Sequence, residues 1–139
     1  MSFTDEGTAI RARLQSGWST TDIAWDGFGG EVYQSVDGRP YIRPAIRAMQ
    51  PPKQIAMPDA TGTAKYRYWS LLTIQIFVPA TSPTGIQDQE AYAATLAALF
   101  RRVSFSSMTF FVPQLKRIGR DRNFQQANLD TNFYRDEQA

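Results

Sequence analysis

Residues 69–78 read Trp69-Ser70-Leu71-Leu72-Thr73-Ile74-Gln75-Ile76-Phe77-Val78, and this stretch decides the fold. In a β-strand, alternate residues point to opposite faces. One face is entirely aliphatic: Leu72, Ile74, Ile76 and Val78. The other face is only partly apolar: Trp69, Leu71, Thr73, Gln75 and Phe77. This pattern predicts a strand from about Tyr66 to Val78 in a sheet that is buried on one side and open to a further contact on the other.

A helix follows this strand and supplies its cover. Downstream of a Pro/Gly connector, large apolar residues recur at helical spacing: Tyr92, Leu96, Leu99, Phe100 and Val103. Thr84 and Gln87 have the spacing of a capping box, so we predict a helix that begins there and ends near Val103. Burial of the aliphatic row beneath it stabilises the fold by roughly 6 to 12 kcal/mol, as an upper bound.

The remaining segments predict further strands and one more helix. The helix covers about Phe3 to Ser16, and a long loop runs from Gln50 to Ala64. The predicted extended segments are Thr21–Trp25, Glu31–Val36, Tyr41–Arg47, Met108–Val112, Leu115–Ile118 and Ala127–Phe133. Pro44 cannot donate to a sheet ladder and predicts an edge or a bulge, and Gly119 predicts a charged turn in a C-terminal β-hairpin. We therefore predict one α+β domain, with a mainly antiparallel sheet and two helices on one face.

Composition narrows the possible functions. With 42% hydrophobic and 13% aromatic residues the chain is not disordered, and no apolar run approaches the ~20 residues that a membrane helix needs. The polar, acidic first residues predict no export signal. The chain contains no Cys and no His, which removes thiolate nucleophiles, the commonest general base and most zinc sites. The formal net charge of +2 predicts no strong global attraction to nucleic acid.

Charged and aromatic clusters are the candidate contact residues. The densest basic group is Lys116, Arg117, Arg120 and Arg122, and a second stripe consists of Arg43 and Arg47. The first group is typical of a solvated turn, of an acidic partner's binding site or of phosphate contact. An aromatic group at the strand entrance, Tyr66, Tyr68 and Trp69, is either a stacking platform or, as we favour, a contact between subunits. Lys53 completes the candidate interface within the Gln50–Ala64 loop. We predict no catalytic, cofactor or metal residues.

In its order of elements the sequence resembles the small tail terminator (tail completion) proteins of long-tailed bacteriophages and phage-like particles. The resemblance covers nearly the whole chain and includes the C-terminal hairpin. It rests on residues 10–14, 21–25, 40–43, 69–79 and 91–100. The segments from Pro51 to Gly62 and at Gly29-Gly30 depart from that pattern.

The resemblance implies a structural, non-enzymatic virion protein without cofactors. It implies a hexameric ring that caps the tail tube, ends its polymerisation and faces the neck of the head. The implied partners are other copies of the chain, the tail tube protein and a head-neck connector protein, with DNA passing through the lumen without sequence-specific binding and no membrane contact. The implied location is the neck end of the virion tail, after assembly in the host cytoplasm. A neck connector or head-completion protein, a small nucleic-acid-binding module and, last, an enzyme remain as alternatives.

Overall fold

A computed structural model describes residues 3–30, 32–35, 38–56 and 64–138 of the chain. Two α-helices and eight strands lie within these ranges. In chain order they are α1 (Phe3–Gly17), β1 (Asp22–Ile23), β2 (Tyr41–Ala48), β3 (Lys53–Ala56), β4 (Lys65–Pro79), α2 (Gly85–Phe100), β5 (Ser104–Phe105), β6 (Met108–Phe110), β7 (Gln114–Asp121) and β8 (Phe124–Gln138). A short 3-10 turn, Asp26–Phe28, follows β1. The α+β prediction is confirmed.

Two long antiparallel strands form the middle of the sheet. β4 and β8 contain 15 residues each and pair continuously, from Lys65 opposite Gln138 to Pro79 opposite Phe124. β2 and β3 follow one another along the free side of β4, while β7 and β6 do the same along β8. β1 adds to β2 in parallel, and β5 adds to β6. The sheet thus consists of four long rows of backbone with short additions at its borders.

The hydrophobic core lies between the sheet and both helices, on what we call the helix face. Leu72, Ile74 and Ile76 are fully buried there, as the sequence pattern predicts. α1 contributes Ile10, Leu14 and, just after its end, Trp18, and α2 contributes Ala93, Leu96, Ala97 and Phe100. Burial of these large side chains is the main stabilising contribution to the fold. The prediction that both helices cover one face is confirmed.

The opposite side of the sheet, the open face, has no helix packed on it within the described residues. Strand register fixes its members. They are Tyr41, Arg43, Ala45 and Arg47 of β2, Arg67, Trp69, Leu71, Thr73, Gln75 and Phe77 of β4, and Phe124, Gln126, Asn128, Asp130, Asn132, Tyr134 and Asp136 of β8. Polar residues dominate the middle of this face. Aromatic rings lie toward both ends, and at one end the ion pair of Arg67 and Asp136 lies beyond the rings.

Several predicted boundaries are wrong. Residues 32–35 form no strand, and Glu31 and Val36 lie outside the described residues. The Gln50–Ala64 segment is not wholly a loop, because Lys53–Ala56 forms β3 against β4, while 57–63 lies outside the described residues. α2 ends at Phe100, before Val103. No capping box forms, since Thr84 makes no side-chain capping bond and instead donates its Oγ1–H to Asp88 Oδ2 at 3.1 Å.

Pro44 and Gly119 illustrate two ways in which edge strands are interrupted. β1 pairs only with Tyr41 and Ile42, so Pro44 lies where β2 has no outer strand among the described residues and needs no outward N–H. This confirms the edge prediction. Gly119 is not in the hairpin turn: it lies within β7 at a register shift, with φ +113, and the turn is formed by Arg122 and Asn123, between the paired residues Asp121 and Phe124. A β-bulge with a positive φ explains the glycine.

The 3-10 turn depends on Gly27. A Cβ there would lie 2.5 Å from the Pro44 carbonyl oxygen, which is a backbone atom that cannot move without displacing β2. We therefore expect Gly27→Ala to lower the free energy of unfolding by about 1 to 3 kcal/mol. Gly7→Ala is the matched control, because its Cβ would meet nothing closer than 3.9 Å and lies in α1, where Ala is favoured. Urea unfolding of both variants checks this; equal stabilities would contradict the close approach.

Candidate functional site

A partly exposed aromatic patch lies toward one end of the open face. Trp69 stacks on Phe111 with ring centroids 5.5 Å apart and an interplanar angle of 12°, and both rings contact Tyr134, at 5.2 and 5.8 Å. Arg67 lies 3.9 Å above the Tyr134 ring. We call Trp69, Phe111 and Tyr134 the aromatic patch. Its rings come from β4, from β8 and from the segment after β6, so strand pairing brings them together.

Backbone hydrogen bonds hold Phe111 in place although its side chain is 42% exposed. Its N–H donates to the Asn132 carbonyl at 3.0 Å, and its own carbonyl accepts from Thr131 Oγ1 at 3.2 Å. Met49, whose side chain is 47% exposed, lies beside Trp69 along the backbone, where its N–H donates to the Trp69 carbonyl at 3.1 Å. The patch is therefore a preorganised apolar surface. Burying it against a partner costs little side-chain conformational entropy.

Polar side chains in the middle of the open face pair with one another. Thr73 Oγ1 donates to Asp130 Oδ1 at 2.8 Å, and Gln126 Nε2 donates to Asn128 Oδ1 at 3.0 Å. At the end of the face, beside the aromatic patch, Arg67 forms a bidentate pair with Asp136, at 2.9 and 3.1 Å. Because these groups already satisfy one another, this region resembles the polar part of a protein interface more than a reactive centre.

The other end of the open face is closed within the subunit. Tyr41, Phe77 and Phe124 are each at most 7% exposed and pack with Ala24. Tyr33 lies against this cluster and donates its hydroxyl to Asp22 Oδ2 at 2.9 Å; burial, with that hydrogen bond, raises the pKa of Tyr33 to about 12. The prediction that the whole strand face is open is therefore wrong at Phe77.

The predicted aromatic group is divided between the two faces. Trp69 belongs to the open face, whereas Tyr66 and Tyr68 alternate with it and point to the helix side. Tyr68 lies 4.2 Å beneath the guanidinium of Arg135, which is buried and pairs with Glu6 and Glu137. Tyr66 lies opposite Gln54 of β3. A single platform of the three residues is wrong, because strand alternation separates them.

The predicted basic residues occupy three places. Arg43 and Arg47 share the open face as predicted, and Arg43 Nε donates to Asp26 Oδ1 at 3.0 Å. Lys53 is exposed on β3, in register with Arg67. Most of the Lys116–Arg122 group is not in a turn but along β7, where Arg117 pairs with Glu90 of α2 and Arg120 Nε donates to the Arg122 carbonyl at 3.0 Å. The structure does not bring these cations together into one site.

Sequence reasoning missed Phe111, Tyr134, Met49 and Arg67. Phe111 lies in the short segment between β6 and Pro113 and carries no periodic signal of its own, and Tyr134 lies beyond the predicted end of the last strand. Leu129, Thr131 and Phe133 mark one face of that strand. Continuing the strand by one residue would have placed Tyr134 on its opposite face. Even then, only the β4–β8 register places Tyr134 beside Trp69.

Among the described residues, no group of three or more carboxylate, His or Cys side chains could hold a metal ion. Within the same ranges, no helix combines the length and the apolar character required to cross a membrane.

Comparison with known proteins supports the fold only. No family model and no curated protein matches the chain. It is similar in structure to 16 solved chains. One of them, whose designation describes no function, is 14% identical, aligns over 96% of this chain and 96% of its own, and gives a TM-score of 0.59. At that identity the similarity concerns the arrangement of helices and strands.

Proposed function

We propose that the chain is a structural subunit of the tail terminator type, which assembles with its own copies into a ring, expected to be a hexamer, at the neck end of a phage or phage-like tail. The ring caps the tail tube, ends its polymerisation and offers a surface to the head-neck connector, with DNA passing through its lumen. The subunit performs no catalysis. The observation that carries the proposal is the aromatic patch on the open face.

The patch has the character of a contact surface. Its rings are partly exposed, a charged rim of Arg67 and Asp136 borders it, and the exposed Met49 follows β2 beside Trp69 in the backbone. Aromatic and Met residues with a polar rim are the composition that distinguishes protein interfaces from other surfaces. Several polar neighbours on the same face are hydrogen-bonded to one another, so the patch is a surface of that face on which apolar contact with another molecule remains possible.

Particle size and co-assembly test this proposal together. Native mass spectrometry and negative-stain microscopy of the purified protein should reveal closed rings, and the protein should bind the ends of purified tail tubes. Binding to portal complexes, with no binding to tube ends, would replace the terminator role by that of a neck connector. A monomer at high concentration that binds neither particle would contradict the proposal.

Phe111→Asp should disrupt the ring without unfolding the subunit. Its side chain is exposed, so the change adds no buried charge to the free monomer, whereas in the ring it places a carboxylate in an apolar contact. We expect the dissociation constant for subunit association to rise roughly 100-fold or more. Analytical ultracentrifugation across a concentration series measures this.

Ile86→Asp is the matched control. Ile86 is 56% exposed but lies in the first turn of α2, away from the open face, where an acidic residue is well tolerated. This variant should assemble as the unmodified protein does. If the Phe111→Asp variant assembles as well as the unmodified protein, or if both variants lose assembly equally, the patch is not part of the interface.

A further inference from the structure

The outer side of β7 is a sheet edge whose backbone has no strand partner in the part of the chain that the structure describes. β7 pairs only with β8, and the side chains from Lys116 to Arg122 are all exposed. On the other border of the sheet, β1 and the 3-10 turn cover part of β2. β7 therefore offers the longer free edge for strand addition.

Positive charge flanks this edge on both sides of the sheet. Lys116 lies opposite Asn128 and so belongs to the open face, whereas Arg117 and Arg120 lie opposite Ala127 and Gln125 and belong to the helix side. Only Arg117 has an ion-pair partner there among the described residues, the exposed Glu90. A strand added along β7 would alternate its side chains between the two faces and meet a cation on each.

An exposed aliphatic side chain lies among these cations. Ile118 is 51% exposed and occupies the β-bulge between Arg117 and Gly119, where it has no register partner in β8. Bulges commonly redirect a side chain at a sheet border. Ile118 thus gives the basic edge one apolar contact point. A charged strand that faced only solvent would have no use for an exposed aliphatic side chain.

The same charges determine what can occupy the edge. A second copy of β7 would bring like charges together, and the β2–β3 edge of another copy carries Arg47 and Lys53, so both pairings are disfavoured. The positive charges that repel other copies of this chain would attract an acidic strand. Nucleic acid would use the cations but not the backbone edge, and no aromatic side chain lies on β7 for base stacking.

We infer that β7 is a docking edge for an acidic, extended segment of a different protein, which adds to the sheet as a further strand. Asp and Glu side chains of that segment pair with Lys116, Arg117 and Arg120, and an aliphatic residue contacts Ile118. This inference goes beyond the ring proposal and uses a different surface from the aromatic patch. Its failure would leave the patch and its tests as they stand.

A synthetic probe tests the inference directly. We would use a fluorescent peptide of 8 residues, matched to β7, that repeats Glu-Glu-Val-Val and so presents Glu side chains on both faces of the added strand. Anisotropy should detect binding that weakens with added salt, and hydrogen exchange should slow at the amides of 114–121 when the peptide is bound. A peptide with all Glu residues before all Val residues, and an oligo-dT strand, are the comparison ligands.

Charge reversal supplies the matched variants. Lys116→Glu with Arg120→Glu should weaken peptide binding roughly tenfold or more, because each change replaces attraction by repulsion. Arg47→Glu with Lys53→Glu changes the total charge equally at the other edge and should leave binding unchanged. Absence of peptide binding at low salt, equal binding by the β7 variant, equal binding of the blockwise peptide, or tighter binding of oligo-dT than of the peptide would overturn the inference.

Discussion

Arg135→Met should lower the free energy of unfolding by about 3 to 5 kcal/mol, because it leaves a buried carboxylate without its partner. Arg135 and Glu6 are each 1% exposed, and their ion pair joins the first turn of α1 to the far end of β8. Arg135 also pairs with the partly exposed Glu137 and covers the Tyr68 ring. Met retains much of the stem but removes the charge. Chemical unfolding at neutral pH measures the loss.

The loss of stability caused by Arg135→Met should depend on pH. Burial raises the pKa of Glu6 above its ordinary value of 4.5, although the hydrogen bond and the charge of Arg135 oppose the shift, and Glu137 adds to it. Without Arg135, the pKa of Glu6 should rise further. A carboxyl whose folded pKa exceeds its unfolded value favours folding below the unfolded value and loses that contribution as pH rises through the folded value. The variant should therefore recover part of its stability near pH 4.5 and below.

A double variant tests the role of the Glu6–Arg135 pair. Replacing Glu6 and Arg135 together by Met removes the stranded charge, so the double variant should be more stable than Arg135→Met alone. Glu137 can remain, since its side chain is 35% exposed and can be hydrated. If Arg135→Met is no less stable than the double variant, removal of Arg135 does not leave a costly unpaired charge on Glu6, and the account of the buried pair is contradicted.

Phe133→Ala should cost about 3 to 5 kcal/mol through the cavity that it creates in the core. Phe133 is fully buried and stacks on Phe110 with centroids 4.7 Å apart and an interplanar angle of 22°. Thermal and urea unfolding should agree on the loss. Asn132→Ala is the control: the adjacent residue is exposed on the open face, and its loss should change stability by no more than ~0.5 kcal/mol. Similar losses in the two variants would contradict the assignment of the faces.

Sequence patterns predicted the core because burial of one strand face leaves a periodic trace. The row from Leu72 to Val78 and the helical stripe at Leu96 and Phe100 are the centre of the core, and the α+β layering follows from them. Boundaries were less accurate. β3 contains no apolar alternation to mark it, and it forms because the chain after β2 continues along the same side of β4.

The candidate site could be predicted only in part. Trp69 was identified because the sequence gives its strand and its face, and Arg43 and Arg47 were placed together for the same reason. Phe111 and Tyr134 join Trp69 through pairing between strands far apart in sequence, which local patterns do not encode. The buried Glu6–Arg135 pair was missed for a similar reason, since both residues look like ordinary surface charges until α1 packs beside β8.

Covalent labelling of the indole of Trp69 is the most direct test of the claim that copies of this chain cover the aromatic patch. The label should be measured by mass spectrometry across a range of protein concentrations, with Trp25, which lies away from the open face against α1 and Phe28, as the internal reference. We predict that labelling of Trp69 falls as rings form, while labelling of Trp25 stays constant. Undiminished labelling of Trp69 in fully assembled rings would contradict the claim.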